Sequence, residues 1–413
     1  MKKTLLLFII LTFSALGTAF GQEFWERIYT LPDSCNRTYD IATNAQGDIF
    51  VATNKGLYKS SDYAETWESV WQEGDRYCTA LDIAPNGRIC VGSNTDHLCF
   101  SDDNGDTWES VNIPHGGGGC TAYRVKYFGN DTLFALPTSL GSGAYVDYSF
   151  DGGNTWNFSR IGNWALDYAT DVTMSKNKMF YVCLCYKGNK ENEECTTKGG
   201  VYKSNDCMEW EDAGISTIDN CFSVISSSPF SDLIILGDFA PLYSYGNNKA
   251  NKADSIQLMP VYGCVFIKDA TIVTTNKFET KVSFDGGNSF ITVPDQNGGN
   301  RIIIGKDGHL YSTFYTNEAK LSRSINTVGD LLKVKEHPSH EEMNVFPNPT
   351  NGLVCIEGAT VSEVQVYNAM GQLVKTVQNT NEIDMGHLPE GIYFLRITAK
   401  DGQLHVGKVT VSK

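Results

Sequence analysis

One short motif, Ser-x-Asp-x-Gly-x-Thr-Trp, recurs along this chain and constrains what it can fold into. It stands as Ser101–Asp103–Gly105–Thr107–Trp108 and as Ser149–Asp151–Gly153–Thr155–Trp156. Looser copies are Ser60–Asp62–Thr66–Trp67, with Ala64 in the glycine slot, and Ser283–Asp285–Gly287–Ser289–Phe290. A shortened copy is Ser204–Asp206–Trp210. An Asp in a tight turn bonds the backbone two residues on, and Gly supplies the positive φ such a turn needs. The Trp opens a strand and fills space between neighbouring units. These residues are therefore read as structural, because function must be argued from a site and not from a fold motif. A unit repeated at fixed spacing buries its apolar face against its neighbours.

The motif resembles the Asp-box of sialidase-like β-propellers. "PLYSYGNN" (Pro241–Asn248) and "AKLSRSIN" (Ala319–Asn326) match the strand and turn of "GLYKSSD" (Gly56–Asp62), so the equivalent serines are 60, 101, 149, 204, 244, 283 and 322. Their spacings of 41, 48, 55, 40, 39 and 39 give seven blades at the period of a four-stranded propeller blade. Upstream of the turns, "DIATNAQGDIFVAT", "DIAPNGRICVGS" and "IIIGKDGHLYSTF" show apolar strands around Asn-Gly and Asp-Gly hairpin signals. The expected fold is all-β, a seven-bladed β-propeller followed by a small Ig-like β-sandwich. Phe24–Tyr29 looks like the strand that follows a repeat turn and is expected to close the ring on the last blade, removing exposed edges.

The two ends read as addresses. Residues 1–21 form a signal peptide: Lys2 and Lys3 precede an apolar run from Leu5 to Ala15, and Ala19-Phe20-Gly21 fits a cleavage site. No stretch reads as a transmembrane segment. The propeller is placed at 22–335 and a charged linker with Pro338 at 336–343. Residues 344–413 change character, with Pro347-Asn348-Pro349, an Asn-x-x-Gly turn at Asn368–Gly371, a Pro-x-Gly-x-Tyr strand at Pro389–Tyr393 and a Lys-rich end. In that order they resemble the C-terminal type A sorting domain of Bacteroidota type IX secretion. The resemblance implies a small β-sandwich read by the outer-membrane secretion machinery and usually removed on delivery; an Ig-like accessory domain is the bland alternative.

A net charge of −15 argues against nucleic acid and anionic membrane surfaces as partners. Seven Trp and twenty Tyr suit blade packing first, with any surplus on loops suited to sugars. Of twelve cysteines, Cys78, Cys120, Cys221 and Cys264 open the first strand of a blade, and Cys35 sits one residue off the same place. That strand lines a propeller's channel, so these thiols are expected near one mouth, as small apolar residues, as inter-blade disulfides or, least supported, as a metal or redox site. Cys90 and Cys99 bracket a hairpin centred on Asn94-Thr95 and are expected to face one another. Cys183, Cys185, Cys195 and Cys207 surround an insertion at Lys187–Lys198, where a disulfide is expected to pin the loop.

Loops leading into the blades should form the ligand-binding mouth. They carry Trp71, Arg76, Tyr77, His115, Trp164, Tyr168 and Tyr262 as candidate ligand contacts, with Asp75, Asp167 and Asp219 as the weak catalytic candidates. His115 precedes Gly116–Gly119, which reads as a spacer and not a phosphate loop. Sialidases resemble this fold and grip a substrate carboxylate with three arginines; no Arg here has their Arg-Ile-Pro context, and no Tyr–Glu pair stands where expected. A xyloglucanase-like hydrolase needs two carboxylates across a cleft, typically between two propellers, whereas one is expected here. No cofactor or metal is expected. The reading is an exported, non-catalytic binding scaffold for a glycan or protein, with a glycoside hydrolase as the alternative.

Overall fold

The computed structural model describes residues 24–412 apart from 73, 75, 95–96, 113–120, 139–143, 162–166, 187–199, 215–220, 228–232, 239–242, 247–248, 253–261, 268–270, 277–278, 287–289, 294–298, 314–320, 337–343, 358–359, 369–372 and 401–403. The expected signal peptide lies outside the described residues, as does residues 337–343 of the expected linker. The chain divides into two compact units, Met1–Val334 and Lys335–Lys413.

Among its described residues, the first unit holds seven four-stranded antiparallel sheets, hereafter blades 1 to 7. Their innermost strands are Thr38–Thr43, Cys78–Ile83, Thr121–Phe128, Asp167–Met174, Cys221–Ser227, Gly263–Ile267 and Arg301–Ile304. Each inner strand contacts the next, and blade 7 returns to blade 1, so the sheets close a ring. The outer strand of blade 7 is N-terminal: Trp25–Ile28 pairs antiparallel with Leu321–Ser324, Trp25 opposite Ser324. Phe24 and Trp25 lie in an apolar core with Ile302, Leu310 and Leu331. The closure therefore rests on burial as well as on strand pairing, and it removes the edge that an open sheet would expose.

Each repeat folds as one turn with a fixed set of bonds. In blade 2, Ser101 Oγ donates to Asp103 Oδ1 at 2.8 Å and accepts from Gly105 N at 2.9 Å, while Thr107 N donates to Asp103 Oδ1 at 2.8 Å. Blades 1 and 3 repeat this with Ser60–Asp62–Thr66 and Ser149–Asp151–Thr155. The residue in the glycine slot has positive φ in each: Ala64 at 71°, Gly105 at 97° and Gly153 at 97°. In blade 4, Cys207 occupies it at 65°. The Trp reaches back to the preceding blade: Trp108 Nε1 donates to Val70 O at 2.8 Å, Trp210 Nε1 to Ser159 Oγ at 2.8 Å, and Trp67 Nε1 to Thr30 Oγ1 at 2.9 Å. One residue type thus caps the turn of its own blade and straps it to the neighbour.

One element was not expected. Val328–Glu336 is a helix whose start is bonded reciprocally, Asp330 N to Thr327 Oγ1 at 3.2 Å and Thr327 N to Asp330 Oδ2 at 3.2 Å. Leu331 seats it in the core that holds Trp25. The helix takes in Glu336, the first residue of the expected linker.

The second unit is a sandwich of a three-stranded and a four-stranded sheet. Alternate residues of Val361–Asn368 and Gly391–Ala399, among them Val364, Val366, Tyr393, Leu395 and Ile397, meet Val354, Ile356 and Ile383 in one apolar core. This is the period-two pattern of strands buried on one face.

Candidate functional site: the central channel and its mouth

Four of the inner strands in blades 1 to 4, and that of blade 5, carry a bulge near the start, after Thr38, Cys78, Ala122, Ala169 and Phe222. A bulge re-aims the side chains beside it. After it, three aspartates form the same clip. Asp40 Oδ1 accepts from its neighbour Ile41 N at 3.0 Å, and Oδ2 accepts from Leu81 N of the next blade at 3.2 Å. Asp82 does this with Ile83 N at 2.9 Å and Tyr127 N at 2.6 Å. Asp171 does it with Val172 N at 3.0 Å and Ile225 N at 3.2 Å. Each carboxylate joins two blades through backbone N–H groups that would otherwise go unsatisfied at the ring's centre.

Basic residues from other inner strands share this space. Arg124 bridges the ring, with Nη1 at 3.1 Å from Asp40 Oδ2 and Nε at 3.0 Å from Asp171 Oδ1. Lys126 Nζ lies 3.9 Å from Asp171 Oδ1, and Arg301 Nε lies 3.9 Å from Asp40 Oδ1. These six side chains line a cavity of about 150 Å³ together with Tyr262, Gly263 and Cys264. Desolvation opposes every charge here, and the partners decide the outcome. Burial raises the Asp82 carboxyl to about 6 against the pull of the two N–H donors and Arg124. Burial also acts on Asp171, but Arg124, Lys126 and Arg301 outweigh it and hold that carboxyl below its ordinary value. Lys126 goes down, through burial and through facing Arg124 and Arg301. Burial pushes the Cys264 thiol up to about 12. Among the described residues, no group of three or more His, Cys, Asp or Glu side chains could hold a metal ion.

The expected mouth residues separate into three sets. Arg76 and Tyr77 are half-buried just before the inner strand of blade 2, and the Tyr77 ring stacks on Tyr39 at 5.7 Å and 23°. Tyr168 is half-buried at the start of the inner strand of blade 4, and Tyr262, also half-buried, gives its carbonyl to Arg301 Nη1 at 3.3 Å. These four stand at the starts of inner strands. Trp71 does not belong with them. It is 6% exposed and packs in the core between blades 1 and 2, its ring 6.5 Å from Trp108. A register shift between Leu57 and Tyr58 leaves Val70 as the extra residue of the outer strand and turns Trp71 inward. Asp75, His115, Trp164 and Asp219 lie outside the described residues, as do residues 116–119; for Asp167 only the backbone, in the inner strand of blade 4, is described.

The cysteines also depart from expectation. Cys90 pairs with Phe100, and Cys99 with Val91. That one-residue offset sends the two side chains to opposite faces of blade 2: Cys90 packs towards blade 3 and Cys99 towards blade 1, and both are free thiols. Cys183 and Cys207 are free, whereas Cys185 is disulfide-bonded. Cys195 and the insertion lie outside the described residues. Cys35 and Cys78 are fully buried in apolar cores, and of the described blade-opening thiols Cys264 alone lines the cavity.

Comparison with known proteins separates the two units. Residues 344–412 match the family model of the secretion system C-terminal sorting domain. The C-terminal unit is a secretion-system sorting domain. It marks the protein for export by type IX secretion, to the cell surface or beyond it. No curated protein sequence matches the chain. Among solved structures, YCF48 from Cyanidioschyzon merolae is 11% identical, with TM-score 0.54, over 73% of this chain and 98% of that one. The WD40 β-propeller domain of Doa1 is 9% identical, with TM-score 0.56, over 74% and 98%. Virginiamycin B lyase from Staphylococcus aureus is 11% identical, with TM-score 0.56, over 73% and 97%. At such identity these likenesses establish the propeller fold alone.

The sorting domain's motif residues have local tasks. Asn348, between its two prolines, accepts from Thr410 N at 2.9 Å and donates to Lys408 O at 2.7 Å, tying the segment to the last strand. Tyr393 donates its hydroxyl to Pro389 O at 2.8 Å across the Pro-x-Gly-x-Tyr stretch. These bonds give a physical reason for both motifs.

Proposed function

We propose that the protein is an exported β-propeller of the Asp-box type that binds a glycan or protein ligand at the channel mouth and leaves it chemically unchanged. The observation that carries this reading is how the channel carboxylates are used. Asp40, Asp82 and Asp171 each hold two backbone N–H groups, and two of them also hold Arg124. A glycosidase needs two carboxylates about 5–10 Å apart that face the scissile bond and exchange protons with it. Carboxylates committed to the ring's own backbone suit a frame. The mouth above them offers Arg76, Tyr77, Tyr168 and Tyr262, amphipathic groups of the kind that fix orientation in recognition sites. The sorting domain supplies delivery, with the secretion machinery as its partner.

The reading is tested with a ligand selected by the full chain from immobilised glycans and surface proteins. Substituting Arg76, Tyr77 and Tyr262 together with Ala should abolish capture while the melting temperature stays within a few degrees. Undiminished capture by the triple variant would move the site away from the mouth.

A further inference from the structure

We propose that the channel cavity is an acid-group pocket, in which Lys126 and Arg301 hold a carboxylate presented free or as the acid group of a ligand docked at the mouth.

The proposal follows from how the six channel charges are spent. Arg124 takes up Asp40 and Asp171 directly, at 3.1 and 3.0 Å. Asp82 is occupied by two backbone donors. Lys126 is left with the Phe128 ring, its centroid 5.9 Å from Nζ, which takes up no N–H donor, and with an Asp171 oxygen 3.9 Å away, one that already accepts from Arg124 Nε and Val172 N. Arg301 is left with an Asp40 oxygen at 3.9 Å, one that already accepts from Ile41 N, and with the Tyr262 carbonyl at 3.3 Å. An ammonium has three donors and a guanidinium five, so both cations retain bonding capacity towards the cavity they line. Both are reachable, since the Lys126 and Arg301 side chains keep 22% and 15% of their surface exposed. The cavity, about 150 Å³, has room for a carboxylate and the carbon that bears it. Burial and the neighbouring cations push the Lys126 ammonium down, a penalty that a bound anion would relieve.

This deepens the mouth reading and rests on it only for the part of the ligand outside the cavity. The test is calorimetric titration of the full chain with acetate, glucuronate, glucose and chloride at constant ionic strength. Saturable one-to-one binding of acetate and glucuronate, absent for glucose and chloride, is expected. Glucuronate binding more tightly than acetate would assign the acid to a sugar-borne ligand, and equal binding would assign it to a free anion. Lys126→Met and Arg301→Met should each weaken binding about tenfold or more, and Lys126→Arg should retain it. Absence of saturable heat for both acids in the native chain, binding of glucose as strong as glucuronate, or binding unchanged in both Met variants would overturn the pocket. None of these outcomes bears on capture of a ligand by the outer mouth, so the two readings fail separately.

Discussion

Gly153 shows how much of this fold rests on single atoms. Its φ is 97°, and a Cβ added there would lie 2.7 Å from Phe100 Cζ in the neighbouring blade. Gly153→Ala therefore combines a left-handed backbone penalty with overpacking, and should lower the unfolding free energy in denaturant by about 2–4 kcal/mol. Ala64 shows that the turn itself tolerates a methyl at positive φ where the methyl packs without a clash, since it holds φ 71° inside the apolar core of blade 1. Asp82 makes a different claim on the same scale. Its folded value of about 6 lies above the ordinary carboxylate value of 3.8, so its contribution is present below 3.8 and is lost as pH rises through 6. Relative to Asp82→Asn, the native chain should lose roughly 2 kcal/mol between pH 4 and pH 7 in parallel denaturation series. The repeat aspartates run the other way. Bonds from Thr107 and Ser101 hold Asp103 at about 2, so the stability it adds is present above 3.8 and fades as pH falls through 2.

At the scale of the element, the repeat turns were legible in the sequence because their chemistry is local. Ser101, Asp103, Gly105 and Thr107 act on one another within seven residues, and Trp108 needs only the neighbouring blade. The channel was not legible for the opposite reason. Arg124 meets Asp40 across 84 positions, and each alone reads as an ordinary strand charge. Small shifts of register misled where the pattern alone was used: the extra residue Val70 turned Trp71 from mouth to core, and one step of pairing separated Cys90 from Cys99. The cysteine assignments give a direct check. Alkylation of the unfolded, unreduced protein followed by peptide mass mapping should label Cys90, Cys99, Cys183 and Cys207 and leave Cys185 protected. A Cys90–Cys99 crosslink would contradict the register of blade 2.

At the scale of the whole molecule, the sorting domain carries delivery, and the proposed reading gives recognition to the propeller. The propeller closes on its own N-terminal strand, Trp25–Ile28, and each of the two units is compact by itself. Removing residues 344–413 should therefore leave a folded propeller that stays in the periplasm, seen as a protease-resistant fragment in that fraction and its absence from the surface and medium. Export of the truncated chain at the native level would show that delivery does not depend on the sorting domain. The central claim is that the ring recognises without transforming. It is met most directly by presenting the full chain with an array of glycans while following the release of cleaved product from the same glycans. Saturable binding with no product above the rate of buffer alone is the predicted result; turnover at enzyme-like rates would contradict it and return the channel and mouth carboxylates to a catalytic role.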